Sequence, residues 1–214
     1  MTITVWGRKT SVNVQTVMWA LAELGVECER LDFGGAFGGT DTAEYRAMNP
    51  NGLVPVIRDK GQFLWESAAI VRYLGAAYGD EKFWPADPLK RAAQDKWSEW
   101  IKTTTFGPTF LTGVFWPMIA VKPERRDETA LAAAVGWLKT FAGMLDARLA
   151  EGDYLGGDAP CFADMVVGAP LYRYFDLDIP RAETPHLRAY YDRLAARPAY
   201  AEHVMVSYDS LRAK

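Results

Sequence analysis

The hydrophobic rhythm of this chain changes at Pro85-Ala86-Asp87-Pro88. Before that point short apolar runs alternate with helical stripes; beyond it the pattern is helical almost throughout. Ile3-Thr4-Val5-Trp6 reads as a strand ended by Gly7. Val14, Val17, Met18, Leu21 and Leu24 then recur at three and four, a helical face, with Ser11 and Asn13 as cap types before it and Gly25 after it. Cys28 to Leu31 is a second strand, so residues 3–31 form a β-α-β unit. Leu53-Val54-Pro55-Val56-Ile57 and Gln62-Phe63-Leu64, joined through Asp59-Lys60-Gly61, form a hairpin. Glu66-Ser67 opens a helix carrying Ile70, Tyr73, Leu74 and Ala77. Past the boundary, Leu131, Val135, Leu138, Ala142, Leu145 and Leu149 mark a buried seam on a long helix that Pro123 and Glu124 are expected to open. Phe162 to Phe175 and Leu187 to Leu194 supply more helix. A chain of 214 residues has room for two such units. The expected architecture is a small α/β unit over 1–78, a linker over 79–88 and an all-helical unit over 89–214.

Composition narrows the function classes. The net charge is −3, from 24 Lys and Arg against 27 Asp and Glu, so no broad basic footprint for nucleic acid exists. Two cysteines make no disulfide framework and point to a reducing cytosol. Two histidines leave few ligands for a metal, and none is expected. The N-terminus lacks the basic start and apolar run of a signal peptide. Thr103 to Val121 carries no charge between Lys102 and Lys122, yet its threonines, Gly107-Pro108, Gly113 and Pro117 make it too polar and too broken to span a membrane alone. A kinked buried helix is expected there. Gly34-Gly35-Ala36-Phe37-Gly38-Gly39 reads as a mobile loop, without the placement of a dinucleotide fingerprint.

Three features of the first unit carry chemistry. Thr10-Ser11-Val12-Asn13 lies at the mouth of the first helix, where free N–H groups and the positive dipole end favour an anion, a thiolate included. Lowering a thiol pKa from about 8.5 to about 6.5 raises its ionised fraction at pH 7 from roughly 3% to roughly 75%. Alternatively, Ser11 or Asn13 simply caps the helix. Val54-Pro55 is a candidate cis bond that would leave the Val54 backbone free to pair with an extended peptide. Glu66 and Ser67 together suit the ammonium and carboxylate of an amino-acid head group, or serve as an ordinary helix start.

In this order the features resemble the cytosolic glutathione transferases over essentially the whole chain. Asn49-Pro50-Asn51-Gly52-Leu53-Val54-Pro55-Val56-Ile57 is similar to the family's NPxGxVPxL segment, and Leu64-Trp65-Glu66-Ser67-Ala68-Ala69-Ile70 to its LxESxAI segment. Phe162-Ala163-Asp164-Met165 resembles the buried capping box, and Arg197-Pro198-Ala199-Tyr200 the start of a C-terminal helix. The resemblance implies a thioredoxin-like domain binding glutathione as co-substrate, then an all-helical domain. Glu66 and Ser67 would hold the γ-glutamyl head, and Val54, beside a cis Pro55, would pair with the cysteinyl unit. Asn51 would neighbour the same tripeptide. Ser11 stands where delta- and theta-like members place a catalytic serine, with Thr10 and Asn13 still open. Phe106, Phe110, Phe115 and Trp116 would line the pocket of an apolar electrophile.

The resemblance further implies a cytoplasmic homodimer that conjugates glutathione to apolar electrophiles in detoxification. A glutathione-dependent peroxidase or disulfide-bond reductase, or a non-catalytic glutathione-binding protein, would share the site. Cys161 stands where the capping box usually has Ser or Thr, so a weaker cap is expected, with Asp164 reaching back. Cys28 reads as core and His186 as a surface helix start. Lys9 and Arg46 are candidates for the glycine carboxylate.

Overall fold

The computed structural model describes residues 2–213. Strand β1 (Ile3–Trp6), helix α1 (Val12–Glu23) and strand β2 (Cys28–Leu31) form the expected β-α-β unit. Strands β1 and β2 run parallel, with Ile3 opposite Cys28. A short helix α2 (Ala43–Met48), which the sequence reading did not anticipate, leads to strands β3 (Val56–Asp59) and β4 (Gln62–Trp65). The sheet order is β2-β1-β3-β4, with β3 antiparallel to both neighbours. Helix α3 (Ser67–Tyr78) packs beside α1, and Val17, Leu21, Ile70 and Leu74 are fully buried with Ile3, Val5 and Ile57. This is a thioredoxin-like domain.

The hairpin starts later than its sequence suggests. Leu53 to Pro55 stay outside the ladder, the Val54-Pro55 bond is cis, and β3 runs on to Asp59. The turn is then the two residues Lys60-Gly61, both at positive φ, as a two-residue hairpin requires.

Asp87 caps helix α4 (Pro88–Glu99) by accepting from the Leu89 and Lys90 N–H groups. The uncharged stretch that follows is broken as expected. Together with the residues leading into it, it comprises a π-turn (Trp100–Thr104), helix α5 (Phe106–Phe110), a second π-turn (Leu111–Phe115) and helix α6 (Trp116–Ala120). A Cβ on Gly107 would lie 2.1 Å from the Ile101 carbonyl oxygen, so only glycine admits this close turn. Helix α7 (Glu128–Leu149) begins five residues after Pro123, which instead opens a single 3-10 turn. The shift has a local cause: the Arg126 guanidinium donates to the carbonyls of Pro117, Met118 and Val121, and Asp127 caps Ala130 N–H. The seam of α7 from Val135 to Leu149 is buried.

The expected helix over 162–175 is two helices, α8 (Phe162–Gly168) and α9 (Leu171–Asp176), because Pro170 lacks the N–H that continuity needs. Helices α10 (Pro185–Ala195) and α11 (Pro198–His203) complete the domain. Cys161 is fully buried at the head of α8, and burial pushes its thiol up. The buried Asp164 carboxylate accepts from Cys161 N–H at 2.8 Å, Leu155 N–H at 2.9 Å and Tyr190 O–H at 2.8 Å. Both cysteines are free thiols. Among the described residues no helix is long and apolar enough to cross a membrane.

Candidate functional site

Where the head of α1 meets the helical domain, a cavity of about 280 Å³ opens. The first domain contributes Arg8, the run Thr10 to Asn13, Gly34, Gly35, Thr40 and Gly52 to Val54; the second contributes Leu111, Trp116 and Arg173. The glycine loop is therefore a wall of the site. It closes on itself through Gly34 N–H to Gly38 C=O at 2.8 Å and lies against the Arg8 side chain.

Ser11 is the N-cap residue of α1, with extended backbone, yet its hydroxyl makes no cap hydrogen bond. It is half-buried and lines the cavity at the positive end of a twelve-residue helix. Asn13 is differently engaged. Its Oδ1 accepts from Lys102 Nζ at 2.6 Å and from Ser67 Oγ at 3.3 Å, and Lys102 Nζ also donates to Ser67 Oγ at 3.0 Å. Thr10 lines the cavity, and its carbonyl accepts from Arg173 Nη2 at 2.6 Å.

Val54 lines the cavity, and among the described residues its backbone N–H and C=O take no protein hydrogen bond. The loop that presents it is pinned by Leu53 C=O, which accepts from Tyr45 O–H at 2.9 Å and Asn49 Nδ2 at 2.8 Å. Burial pushes the Tyr45 phenol up to about 12, which keeps it a donor. Pro55 is buried behind Val54. Asn51 is exposed on the turn and does not line the cavity; its N–H donates to Asn49 Oδ1 at 3.0 Å. Glu66 is exposed at the head of α3, with φ at +68°, a sharp corner for a residue with a side chain. Ser67 beside it is buried and joins the cavity only through Asn13 and Lys102.

The aromatic wall needs correction. Trp116 is partly exposed and lines the cavity, but Phe106, Phe110 and Phe115 are fully buried. Phe106 and Phe110 pack their rings against Tyr174, and Phe115 lies beneath the Arg173 guanidinium at 4.4 Å. The π-turns rotate these side chains into the core and leave Leu111 and Trp116 facing the site. Lys9 and Arg46 do not line the cavity either: Lys9 is exposed beside Gln15, and Arg46 donates to Pro50 C=O.

Three cations escaped the sequence reading. Lys102 arrives from the first π-turn; burial pushes its ammonium below the usual lysine range, and the charges of Glu66 and Glu99 oppose this. Arg173 is 2% exposed, and burial pushes it down to about 10. Arg8, also lowered by burial, follows β1. The available signals were Arg173 inside the run Leu171-Tyr172-Arg173-Tyr174-Phe175 and Lys102 at the edge of a long uncharged stretch. Among the described residues no group of His, Cys, Asp and Glu could hold a metal ion.

Comparisons with known proteins give the family. Residues 1–76 match the glutathione S-transferase N-terminal domain, and residues 109–198 the glutathione S-transferase C-terminal domain. Glutathione S-transferase GstB of Escherichia coli strain K12 is 36% identical over 206 residues, covering 95% of this chain and 98% of that protein. The theta class glutathione S-transferase of Xanthomonas axonopodis pv. citri, solved with glutathione bound, superposes with a TM-score of 0.90. It is 42% identical, over 96% of this chain and 98% of that one. A Bombyx mori glutathione transferase, 22% identical, shares the fold with a TM-score of 0.86 over 99% of this chain and 96% of its own.

Proposed function

The chain belongs to the glutathione transferase family and is a glutathione transferase, and on that premise we propose that Ser11 holds the glutathione thiolate while it attacks an apolar electrophile. One observation carries the assignment: the Ser11 hydroxyl sits at the head of α1, inside the cavity, and is not used as a helix cap. Asn13 has its side-chain oxygen already committed to Lys102 and Ser67. A hydrogen bond from Ser11 and the positive helix end would lower the thiol pKa, so that much of the bound glutathione is ionised at neutral pH. Val54 pairs with the cysteinyl backbone. Glu66 takes the γ-glutamyl ammonium, and Ser67 with Lys102 takes its carboxylate. Asn51, exposed on the adjoining turn, reaches the tripeptide only from the side. Leu111 and Trp116 form the apolar surface for the second substrate.

Catalysis in this scheme is thiolate stabilisation plus positioning. Ser11→Ala is expected to lower kcat with a reactive aryl halide far more than it changes glutathione affinity. It should also move the pH dependence of turnover upward. A Ser11→Ala enzyme with wild-type kcat and an unmoved pH profile across pH 6 to 8 ends the assignment. The family relationship supports a homodimer acting in detoxification in the cytoplasm. Sedimentation of the purified chain and fractionation of the native cell test those two points.

A further inference from the structure

Two arginines converge on the cavity without a counter-ion among the described residues. Arg173 lies almost wholly inside the protein, its Cζ 4.4 Å over the Phe115 ring and 5.6 Å from that of Tyr208. Of its five donors, one N–H meets Thr10 C=O, and Nε is buried with no partner among the described residues. The Arg8 Nε is likewise buried and unpartnered. The two guanidinium groups lie close enough for the charge of Arg8 to disfavour that of Arg173. Among the described residues no Asp or Glu lines the cavity. A buried cation without an anion is costly, and two facing one space are more so. A planar fork held over an aromatic ring is suited to bind a carboxylate through paired N–H donors.

The position of the pair selects which carboxylate. Lys102, Ser67 and Asn13 form one hydrogen-bonded cluster, where the proposed function puts the γ-glutamyl head. Arg173 instead touches Thr10, the neighbour of Ser11, and shares its wall with Leu111 and Trp116. That is the sulfur side of the site. Resting on the transferase reading, we propose that Arg8 and Arg173 bind a carboxylate on the electrophile itself, so that the substrates of this enzyme are small electrophiles with an apolar body and one negative charge.

An α,β-unsaturated monoester acid illustrates the step. The thiolate sulfur bonds to the carbon conjugated to the ester. The double-bond pair moves onto the ester as an enolate, and the adjacent carbon then takes a proton from water. That proton replaces the one the thiol lost on ionising, so nothing but glutathione and the acceptor is consumed.

Monomethyl fumarate and dimethyl fumarate form a matched pair that differs in one charge. The measurement is kcat/KM for each, divided by its uncatalysed rate constant with glutathione in the same buffer. The wild type is expected to favour the monoester by at least tenfold. In Arg8→Gln, and in Arg173→Gln if it folds, the monoester-to-diester ratio should fall by tenfold or more. Monomethyl succinate, which cannot react, should inhibit in competition with the fumarate and not with glutathione. A wild-type ratio near one, a ratio unmoved in Arg8→Gln, or competition between the succinate and glutathione overturns the proposal. The last outcome would mean that the arginines hold the tripeptide's own carboxylate. Turnover of the diester without charge preference leaves the transferase reading intact, and no turnover of either ester by an enzyme that still conjugates the aryl halide ends the carboxylate proposal alone.

Discussion

Lys102 Nζ sits 2.6 Å from Asn13 Oδ1 and 3.0 Å from Ser67 Oγ, so one ammonium from the helical domain bridges the first helix and the third. The ammonium is held in place by neutral oxygens, and its charge remains available to a ligand carboxylate. Lys102→Met is expected to weaken glutathione binding by roughly tenfold or more, as loss of a charge-assisted hydrogen bond of about 1.5–3 kcal/mol implies. The effect on kcat should be smaller. Calorimetric titration of glutathione into wild type and variant reads this directly, and equal affinities would remove Lys102 from the ligand site.

The same lysine sets a pH dependence. Burial lowers its pKa, against the opposing charges of Glu66 and Glu99. A lysine with a lowered pKa loses its proton at lower pH than an ordinary one, and the carboxylate partner is then lost. Glutathione affinity should therefore decline on the alkaline side before the usual lysine range near 10.4 is reached. The decline should be absent in Lys102→Met. Affinities measured from pH 7 upward, with the free thiol's own ionisation subtracted, test the difference.

How much of this was legible beforehand depended on whether the signal was local. The strand and helix alternation of residues 3–31 needs only period and punctuation, so β1, α1 and β2 fall where the pattern puts them. Ser11, Val54, Glu66 and Ser67 stand in short motifs and were legible as candidates. Phe106, Phe110 and Phe115 were not, because two π-turns reset the helical phase and send them into the core. Helix α7 starts at Glu128 rather than Pro123 because Arg126 ties the preceding segment to α6, a contact that no capping rule contains. Arg8, Lys102 and Arg173 become functional candidates only when distant chain segments meet, 89 residues apart for Lys102 and Asn13 and 163 for Arg173 and Thr10.

The contact between the domains carries its own prediction. Arg197 donates to both Glu23 oxygens, one at 2.7 Å, and Trp19 Nε1 adds a bond at 2.8 Å. Burial raises the Glu23 carboxyl, but the Arg197 and Trp19 hydrogen bonds and the Arg197 charge outweigh it, so the net shift is downward. A carboxyl with a lowered folded pKa contributes stability above its unfolded value near 4.3, and that contribution is lost as pH falls through the folded value. Glu23→Gln should therefore cost about 1–3 kcal/mol at pH 7, with the gap to wild type closing below about pH 4. Urea unfolding at several pH values is the check, and a gap that stays constant to pH 3 would contradict it.

Close packing on α8 predicts a steric cost. A Cβ on Gly168 would lie 2.7 Å from Leu194 Cδ1 and 2.9 Å from the Trp19 ring, both fully buried. Tyr200 O–H also donates to the Gly168 carbonyl at 3.0 Å, which fixes the helix at that distance. Gly168→Ala should destabilise by about 1–3 kcal/mol despite the better helix propensity of alanine. Thermal unfolding reads the loss, and an increase in Tm would show that the packing yields.

Cys161 offers the opposite sign. It occupies the N-cap of α8 with extended backbone, φ −117° and ψ 179°, where a hydroxyl is the better acceptor for the Asp164 N–H. Both halves of the reciprocal cap are present, Cys161 Sγ accepting from Asp164 N–H and the Asp164 carboxylate from Cys161 N–H. Cys161→Ser replaces the weak sulfur acceptor of that cap with a hydroxyl, with little change of volume, and should raise stability by about 0.5–1 kcal/mol. Because the buried thiol does not line the cavity, kcat is expected to stay at its wild-type value. Parallel measurement of Tm and kcat separates the outcomes: a higher Tm with unchanged kcat fits a capping role, and a collapse of kcat in a folded variant would mean that the thiol takes part in turnover.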